Sequence, residues 1–584
     1  MIEGVREGTG DEGFRPTIDN REIDNSTSGV YNCSNSYPMT NRVRADFVLL
    51  AGFCAFLFFY GLWQFGLIGA DEPRYAQVAR EMLERHDWIT PVLGGEPWLE
   101  KPPLYYWQAM VAYKLFGVSD WAARLPSALD ATFLVLAVYF FLRHFRRGLE
   151  VDGALVCASC AGIIGYARAA SMDMALAAAF TIGMLGWWAW RERGNRIYLA
   201  VFYGFMGLGM LAKGPVAPFL AFLVIALYAT AIRDLRLILK TLWLPGVFLF
   251  CVIAMPWYFA VQIRNPTFFH EFIVEHNLAR FSKNLYHHTE PVWYYLPVTA
   301  LALIPWTVFV IAALVQPFRW WWNRRKSPEI RTTDFEYQFS IFASCWLIVP
   351  LIFFSISKSK LPGYILPALP AGALLLTEYL RQRLEQKASQ DGPVAKSLAM
   401  LHGLLAAAPI IPALLIAYLL TQHRLPGGQP MLVALAVASV LCAGIALTLV
   451  RKAGLRMLRF VTLIPVVLTV GAVLKLGSTS LDQKLSARPL SLEIAAMETH
   501  SLPLAVFHVP RELEYGLTFY RNRLTVNYDF QGILQEEHLL VAPENSQPKI
   551  ARLLPGRHVS YLGHYAAQRI DYYWIGAAGT VPAQ

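Results

Sequence analysis

Long apolar runs recur between residues 46 and 477 and constrain this chain more than any other feature. A segment that crosses about 30 Å of hydrocarbon needs about 20 such residues, which predicts about 13 spans here. They cover residues 46–69, 121–142, 151–168, 173–190, 197–212, 215–232, 238–262, 294–317, 338–356, 362–380, 397–421, 430–450 and 457–477. Charged residues make up 16 %, against about 25 % in soluble domains. We therefore expect a polytopic α-helical membrane protein.

Two polar regions flank this membrane domain, which we place at residues 45–477. Residues 1–44 are rich in Gly, Asn, Ser and Thr and lack an apolar signal-peptide core, which predicts a disordered tail. Residues 478–584 change composition and read as a mixed α/β domain. Its predicted strands are Leu502–Pro510, Leu524–Tyr528, His538–Ala542, His558–Leu562 and Asp571–Ile575.

The formal net charge of +10 comes from basic residues gathered between apolar runs. This distribution follows the positive-inside rule, so we expect membrane lipids rather than nucleic acid as partners. Alternate loops carry Arg143, Arg146 and Arg147, then Arg191, Arg193 and Arg196, Arg233 and Arg236, Arg319 to Lys326, Arg381 to Lys387, and Arg451 to Arg459. With the tail in the cytoplasm, residues 70–120, residues 263–293 and the C-terminal domain lie outside.

The outer loop Gly69–Pro103 concentrates carboxylates, cations and aromatic residues. Asp71 follows the first span directly, with Arg74 and Tyr75 after it. A carboxylate there could orient a nucleophile or offset positive charge on a sugar ring. It could equally be the capping residue of the helix that Pro73 opens, and both readings remain open.

Lys101 precedes two prolines, which stiffen the backbone that carries it. A fixed ammonium at a membrane surface suits a phosphate. The alternative is an interfacial lysine that snorkels, but the two prolines and the adjacent Glu100 favour the phosphate. Further polar residues lie on the outer side, where Lys and Arg should be scarce: Arg168, Asp173, Lys213, Arg280, Lys358 and Lys360. Together the cations would favour diphosphate or anionic lipid head groups. Asp173 could also be a simple helix N-terminal carboxylate.

Histidine and glutamate residues of the outer loops suggest a metal. Glu100, His276 and His288 supply oxygen and nitrogen ligands that suit zinc. Because the three positions must converge from separate segments, the spacing alone is weak evidence, and His270 and His287 compete for the same role.

Several motifs, in this order, carry a family resemblance: Asp71-Glu72-Pro73-Arg74-Tyr75-Ala76, Lys101-Pro102-Pro103-Leu104-Tyr105, Arg124-Leu125-Pro126-Ser127, Met172-Asp173, Ala212-Lys213-Gly214-Pro215, Glu275 to Phe281, His288 to Tyr295 and Ser359 to Tyr364. They resemble the GT-C membrane glycosyltransferases, and among them the lipid A aminoarabinose transferases, relatives of protein O-mannosyltransferases. The match runs from Asp71 to about Tyr364.

This resemblance implies an inverting glycosyltransferase at the periplasmic face of the bacterial inner membrane. The donor would be undecaprenyl phosphate carrying aminoarabinose and the acceptor a lipid A phosphate, which would confer polymyxin resistance. It implies Asp71, Asp173 and Lys101 as catalytic residues and a substrate-binding set of Arg74, Tyr75, Lys213, Arg280, Lys360 and Tyr364. We expect a monomer that needs no nucleotide and no Mg²⁺.

Two alternatives remain. A related enzyme could transfer its sugar to protein hydroxyls, as protein O-mannosyltransferases do. A lipid or sugar flippase would instead show charges deep in several spans and two matching halves. The charges here gather on the outer face and no halves match, so the sequence favours the transferase.

Overall fold

The computed structural model describes residues 39–272, 290–326, 335–385 and 458–578. Most of the N-terminal tail, the predicted spans 397–421 and 430–450, and most of the predicted loop 263–293 lie outside these residues. Arg280, His276 and His288 also lie outside them.

The described part of the membrane domain is mainly helical. Its helices are α1 Met39–Cys54, α2 Asp71–Glu84, α3 Leu104–Phe116, α4 Asp120–Phe145, α5 Glu150–Ala158, α6 Ala161–Ala167, α7 Met172–Arg193, α8 Arg196–Lys213, α9 Val216–Ile232, α10 Arg236–Thr241, α11 Leu244–Arg264, α12 Tyr295–Ala302, α13 Thr307–Lys326, α14 Phe335–Ile356, α15 Leu369–Glu385 and α16 Leu458–Ala472. A two-stranded ribbon, β1 Val92–Leu93 and β2 Glu96–Pro97, lies between α2 and α3.

Among the described residues, five helices are long and apolar enough to cross a membrane, or up to eight if each bent pair is one span. Every predicted run in this part of the chain contains helical structure, but the count of about 13 is not confirmed. Two predicted spans are broken: α5 and α6 meet at 64°, and residues 292–319 bend by 114°.

The first predicted span is shorter than the apolar run 46–69. After α1 the chain forms one π-helical segment, Ala55–Phe59, and then leaves the helix near Gly61, whose φ is +75°. From there to Ile68 the apolar residues form an irregular loop. Apolar composition alone does not reveal the end of the helix. The loop carbonyl groups that lose their helical partners accept hydrogen bonds from an arginine of another helix.

Helices α7 and α8 form a close antiparallel pair. The Ser171 hydroxyl caps α7 by accepting from the backbone N–H of Asp173 at 3.1 Å, and Gly194 ends the helix in the left-handed conformation. Small residues let the two backbones approach, since a methyl group on Gly186 would lie 2.9 Å from the Tyr198 carbonyl.

The C-terminal domain contains the five predicted strands, and the structure confirms each of them. They are β3 Leu504–Val506, β4 Thr525–Asn527, β5 His538–Pro543, β6 Val559–Tyr565 and β7 Ile570–Ile575, in the order β4-β3-β5-β7-β6. Strand β3 pairs in parallel with β4 and β5, and β7 pairs antiparallel with β5 and β6. The domain also contains α17 Ser478–Leu485, α18 Arg488–Met497, α19 Arg511–Arg521 and α20 Gln547–Leu553.

The C-terminal domain forms hydrogen bonds with the loop that precedes α2. The Asp482 carboxylate accepts from Gly66 N–H at 2.8 Å, and the Tyr520 hydroxyl accepts from Leu67 N–H at 2.7 Å. Tyr520 also donates to Asp120 at 2.6 Å, and Arg488 donates to the same carboxylate at 2.8 Å. These contacts fix the loop from the side of the C-terminal domain.

A buried ion pair fixes the same loop from the membrane side. Arg124 of α4 is fully buried and donates to Glu72 of α2 at 2.6 Å. The same guanidinium donates to the carbonyl groups of Leu62, Phe65 and Gly66 at 2.8–3.1 Å. It therefore satisfies both a carboxylate and the loop backbone.

We expect Arg124→Ala to destabilise the protein by about 3–5 kcal/mol, because it leaves the buried Glu72 carboxylate without its cation. Thermal unfolding in detergent would measure this. Arg264→Ala is the control, since Arg264 pairs with Asp87 while half exposed and such pairs contribute about 0–1 kcal/mol. The double variant Glu72→Leu/Arg124→Met should recover part of the loss. Equal unfolding temperatures for Arg124→Ala and Arg264→Ala would contradict the assignment.

Candidate active site

Asp71 and Arg74 lie on the first turn of α2 and form an ion pair. The helix starts there because Gly69, with φ +69°, turns the chain and two carboxylates, Asp71 and Glu72, occupy its first turn. Pro73 fits near a helix start, where no N–H donor is required. The Asp71 side chain is 51 % exposed, whereas Arg74 is 13 % exposed. The carboxylate is therefore open to a ligand and the guanidinium lies beneath it.

Arg74 lies among aromatic rings and acidic groups. Its guanidinium carbon is 5.2 Å from the Trp98 ring and 5.6 Å from the Tyr515 ring. Burial by itself lowers the pKa of Arg74, but Tyr75, Asp71 and Glu100 act electrostatically in the opposite direction and raise it above its ordinary value. Arg74 therefore remains a cation at neutral pH.

Three buried polar atoms around Arg74 have no hydrogen-bond partner within the residues that the structure describes. They are Arg74 Nε, Trp98 Nε1 and the Tyr106 hydroxyl. Each can donate a hydrogen bond, and a buried donor without a partner costs about 1–3 kcal/mol of stability. A cluster of orphaned donors next to a permanent cation is what an anionic ligand would satisfy.

A second charged pair lies at the start of α7. Asp173 pairs with Lys213 at the end of α8, and its carboxylate also accepts from the Ser171 hydroxyl at 2.9 Å. Lys213 lies over the ring of Tyr364, with its ammonium nitrogen 4.3 Å from the ring centroid. Both charged side chains are about 15 % exposed, so the pair is partly desolvated but still accessible.

The two charged pairs lie near the same two tyrosines. Asp71 and Asp173 both act electrostatically on the Tyr166 hydroxyl and on the Tyr75 hydroxyl. Tyr75 itself is buried, with its ring against Tyr105 and Tyr106. It therefore forms the wall behind the site and supports Arg74.

Gly363 lets the backbone of another segment approach this site. A Cβ atom there would lie 2.7 Å from the Tyr166 hydroxyl and 2.9 Å from Cγ of Asp173. The segment Pro362–Ala368 is a 3-10 helix that presents Tyr364 to Lys213. Only glycine fits at position 363 without displacing the Asp173 carboxylate.

Two further predicted cations lie on neighbouring segments. Lys360 is 6 % exposed and donates to the Ser357 carbonyl at 2.5 Å, and no ion pair within the described ranges includes it. Lys358, two residues earlier, is exposed. Lys101 is half-buried and follows Glu100, the carboxylate that acts on Arg74. The structure thus places Lys101 on the segment that borders Arg74.

The metal prediction has one described member. Glu100 lies beside Arg74, while His276 and His288 fall outside the described residues. In the part of the chain that the structure covers, no group of three His, Cys, Asp or Glu side chains is placed to hold a metal ion. One described carboxylate is not enough for a zinc site.

Glu72 and Arg124 occur in the sequence motifs, but the motifs alone assign them no role and do not single out Tyr166 or Gly363. Glu72 accepts from the backbone N–H groups of Ile68 at 2.9 Å and Ala170 at 2.8 Å. It therefore ties the helix that carries Asp71 to the segment that leads to Asp173. The available signal was an arginine inside an apolar run, which implies a partner.

Comparisons with known proteins find similarity to glycosyltransferases. Residues 47–272 match the family described as dolichyl-phosphate-mannose-protein mannosyltransferase. The undecaprenyl phosphate-alpha-4-amino-4-deoxy-L-arabinose arabinosyl transferase of Aeromonas hydrophila is 31 % identical over 445 residues, or 74 % of this chain and 78 % of the relative. The enzyme of that name from Aeromonas salmonicida is 29 % identical over 513 residues, or 82 % of this chain and 90 % of the relative.

Solved structures show the same fold. The crystal structure of ArnT from Cupriavidus metallidurans bound to undecaprenyl phosphate aligns with a TM-score of 0.71 at 23 % identity, and covers 94 % of this chain and 100 % of that one. The apo crystal structure of the same protein aligns with a TM-score of 0.68 at 22 % identity, and covers 93 % and 100 %.

Proposed function

Since this chain belongs to the family of undecaprenyl phosphate-α-4-amino-4-deoxy-L-arabinose arabinosyl transferases, we propose that it transfers 4-amino-4-deoxy-L-arabinose from undecaprenyl phosphate to lipid A phosphates. The expected GT-C fold and the expected glycosyltransferase class are confirmed. The site would work at the periplasmic face of the inner membrane. There a cationic sugar on lipid A would reduce the binding of polymyxin and other cationic peptides.

The observation that carries this proposal is the set of orphaned donors around Arg74, next to two carboxylates. The donor's leaving group is a phosphate, which is an anion with strong acceptor oxygens. Arg74 Nε, Trp98 Nε1 and the Tyr106 hydroxyl can each donate to it. Lys101 on the adjoining segment adds a second cation. Charge that develops on the phosphate as it leaves would be stabilised by hydrogen bonds from these donors.

The proposed reaction is one direct displacement. An oxygen of the lipid A phosphate attacks the anomeric carbon and forms a new carbon–oxygen bond. The bond from that carbon to the donor phosphate breaks, its electron pair stays on that phosphate, and undecaprenyl phosphate departs. The acceptor is already ionised at pH 7, so no proton has to be removed. Attack from the face opposite the leaving group inverts the anomeric centre.

Asp71 and Asp173 have different roles in this scheme. Asp71 is half exposed and can accept from the sugar's amine or hydroxyl groups, and so orients the ring. Asp173 is neutralised by Lys213, which lies over Tyr364, so this trio forms a fixed polar wall for the acceptor side. Lys360, with only a neutral carbonyl partner among the described residues, would contact a substrate phosphate, as would Arg280.

A second candidate function is sugar transfer to a protein hydroxyl. The family that matches residues 47–272 is named for mannose transfer to protein. A hydroxyl must lose a proton, and Asp71 would then have to act as the base. The curated relatives that cover most of the chain carry the aminoarabinose name, which favours the phosphate acceptor.

We also propose that zinc binds Glu100, His276 and His288, which metal analysis of purified wild-type and His276→Ala protein would test.

We expect Asp71→Asn, Asp173→Asn and Lys101→Ala each to lower transfer about 100-fold or more, because each removes a charge that orients or stabilises the reacting groups. Mass spectrometry of lipid A from cells carrying each variant measures the product. Asp87→Asn is the matched control, since it changes a carboxylate near the end of α2 that pairs with Arg264. Wild-type lipid A modification by Asp71→Asn would contradict the assignment. Sugar found on proteins instead would favour the second candidate.

We expect Gly363→Ala to lower kcat about 10-fold or more while the protein stays folded, because the methyl group would displace Asp173 or Tyr166. Gly165→Ala, at a position with open space on the helix that carries Tyr166, should stay within about twofold of wild type. Transfer from a polyprenyl-phosphate sugar by purified protein gives both rates. Equal rates for the two variants would show that Asp173 needs no such clearance.

A further inference from the structure

A polar cavity of about 650 Å³ lies between the α7–α8 turn and the segment that joins α9 to α11. The side chains of its wall that matter here are Trp190, Arg191, Arg196, Asp234, Lys240 and Trp243. We call it the basic pocket. None of its residues belongs to the candidate active site.

The basic pocket lies one helix length from the active site. Asp173 lies in the first turn of α7, at the site, and Arg191 lies in its last turn, at the pocket. Helix α8 runs back from Arg196 to Lys213. At 1.5 Å per residue each helix separates the two places by about 26 Å. This is close to the ~30 Å thickness of a hydrocarbon core. A membrane with the active site at one surface therefore has the basic pocket at the other.

The pocket has more positive than negative charge. Arg191, Arg196 and Lys240 line it together with one carboxylate, Asp234. No ion pair in the described residues includes Arg196 or Lys240. Arg196 stacks over the Trp243 ring at 6.0 Å, which orients its guanidinium. The N-terminus of α8, capped by Asn195, adds the positive end of a helix dipole. A phosphate group fits this chemistry.

Apolar side chains surround the pocket and point to the source of that phosphate. Five large residues next to it in sequence are between 61 % and 84 % exposed: Ile197, Leu235, Leu239, Leu242 and Leu244. Exposed leucines at a membrane surface contact acyl chains, and tryptophan prefers the head-group level. A free phosphate would use only the cations, whereas a phospholipid would use both.

We propose that the basic pocket binds the head group of an anionic phospholipid in the leaflet opposite the active site. The positive-inside rule alone would explain basic residues on this side. It does not explain a walled cavity with two tryptophans and a border of exposed leucines. Binding would hold the ends of α7 and α8, the two helices that carry Asp173 and Lys213.

The test is a lipid titration of the purified full-length protein in detergent, read as the shift in unfolding temperature. Phosphatidylglycerol should protect at a concentration at least about tenfold lower than phosphatidylcholine, and inorganic phosphate should not protect at millimolar concentration. The double variant Arg196→Gln/Lys240→Gln should need about tenfold more phosphatidylglycerol.

Arg147→Gln/Arg236→Gln is the matched control, since it removes two arginines near this end of the helices that do not line the pocket. It should respond to phosphatidylglycerol like wild type. Equal protection by phosphatidylglycerol and phosphatidylcholine, an unchanged response of the pocket variant, or an equal loss in the control would each overturn the proposal. Protection by inorganic phosphate at the lipid's concentration would overturn the lipid as its ligand.

Discussion

The buried ion pair between Glu72 and Arg124 is the interaction on which the site depends. Taking two charges out of water is costly, and it is offset only when each is fully hydrogen-bonded. Arg124 meets this condition through Glu72 and three loop carbonyls, and Glu72 through Arg124 and two backbone N–H groups. The pair thereby joins four separate segments. One of them carries Asp71 and another leads directly to Asp173.

The C-terminal domain acts on the same loop from its other side. Its Asp482 and Tyr520 bind the backbone N–H groups of Gly66 and Leu67, while Arg124 binds the carbonyl groups. Side chains from distant parts of the chain thus bind two N–H groups and three carbonyl groups of this stretch. The C-terminal domain therefore helps to position the start of α2.

The sequence was enough to predict the helical membrane domain and all five strands of the C-terminal sheet, and it named Asp71, Arg74, Asp173 and Lys213, which the structure joins in two ion pairs. Apolar periodicity and strand composition are local signals, and they survive in the folded protein. The break after Ala55–Phe59 could not be predicted, because it depends on an arginine contributed by α4. The orphaned donors around Arg74 were equally hidden, since only packing shows that Trp98 and Tyr106 lack partners.

We propose that Arg74 and its neighbours form an anion site held by the Glu72–Arg124 pair. The most direct measurement is a cryo-electron microscopy structure of this protein with undecaprenyl phosphate. The account predicts phosphate oxygens within about 3 Å of Arg74 Nε and of Trp98 Nε1 or the Tyr106 hydroxyl, with the ion pair unchanged. A phosphate bound elsewhere, with these donors still unpartnered, would contradict it.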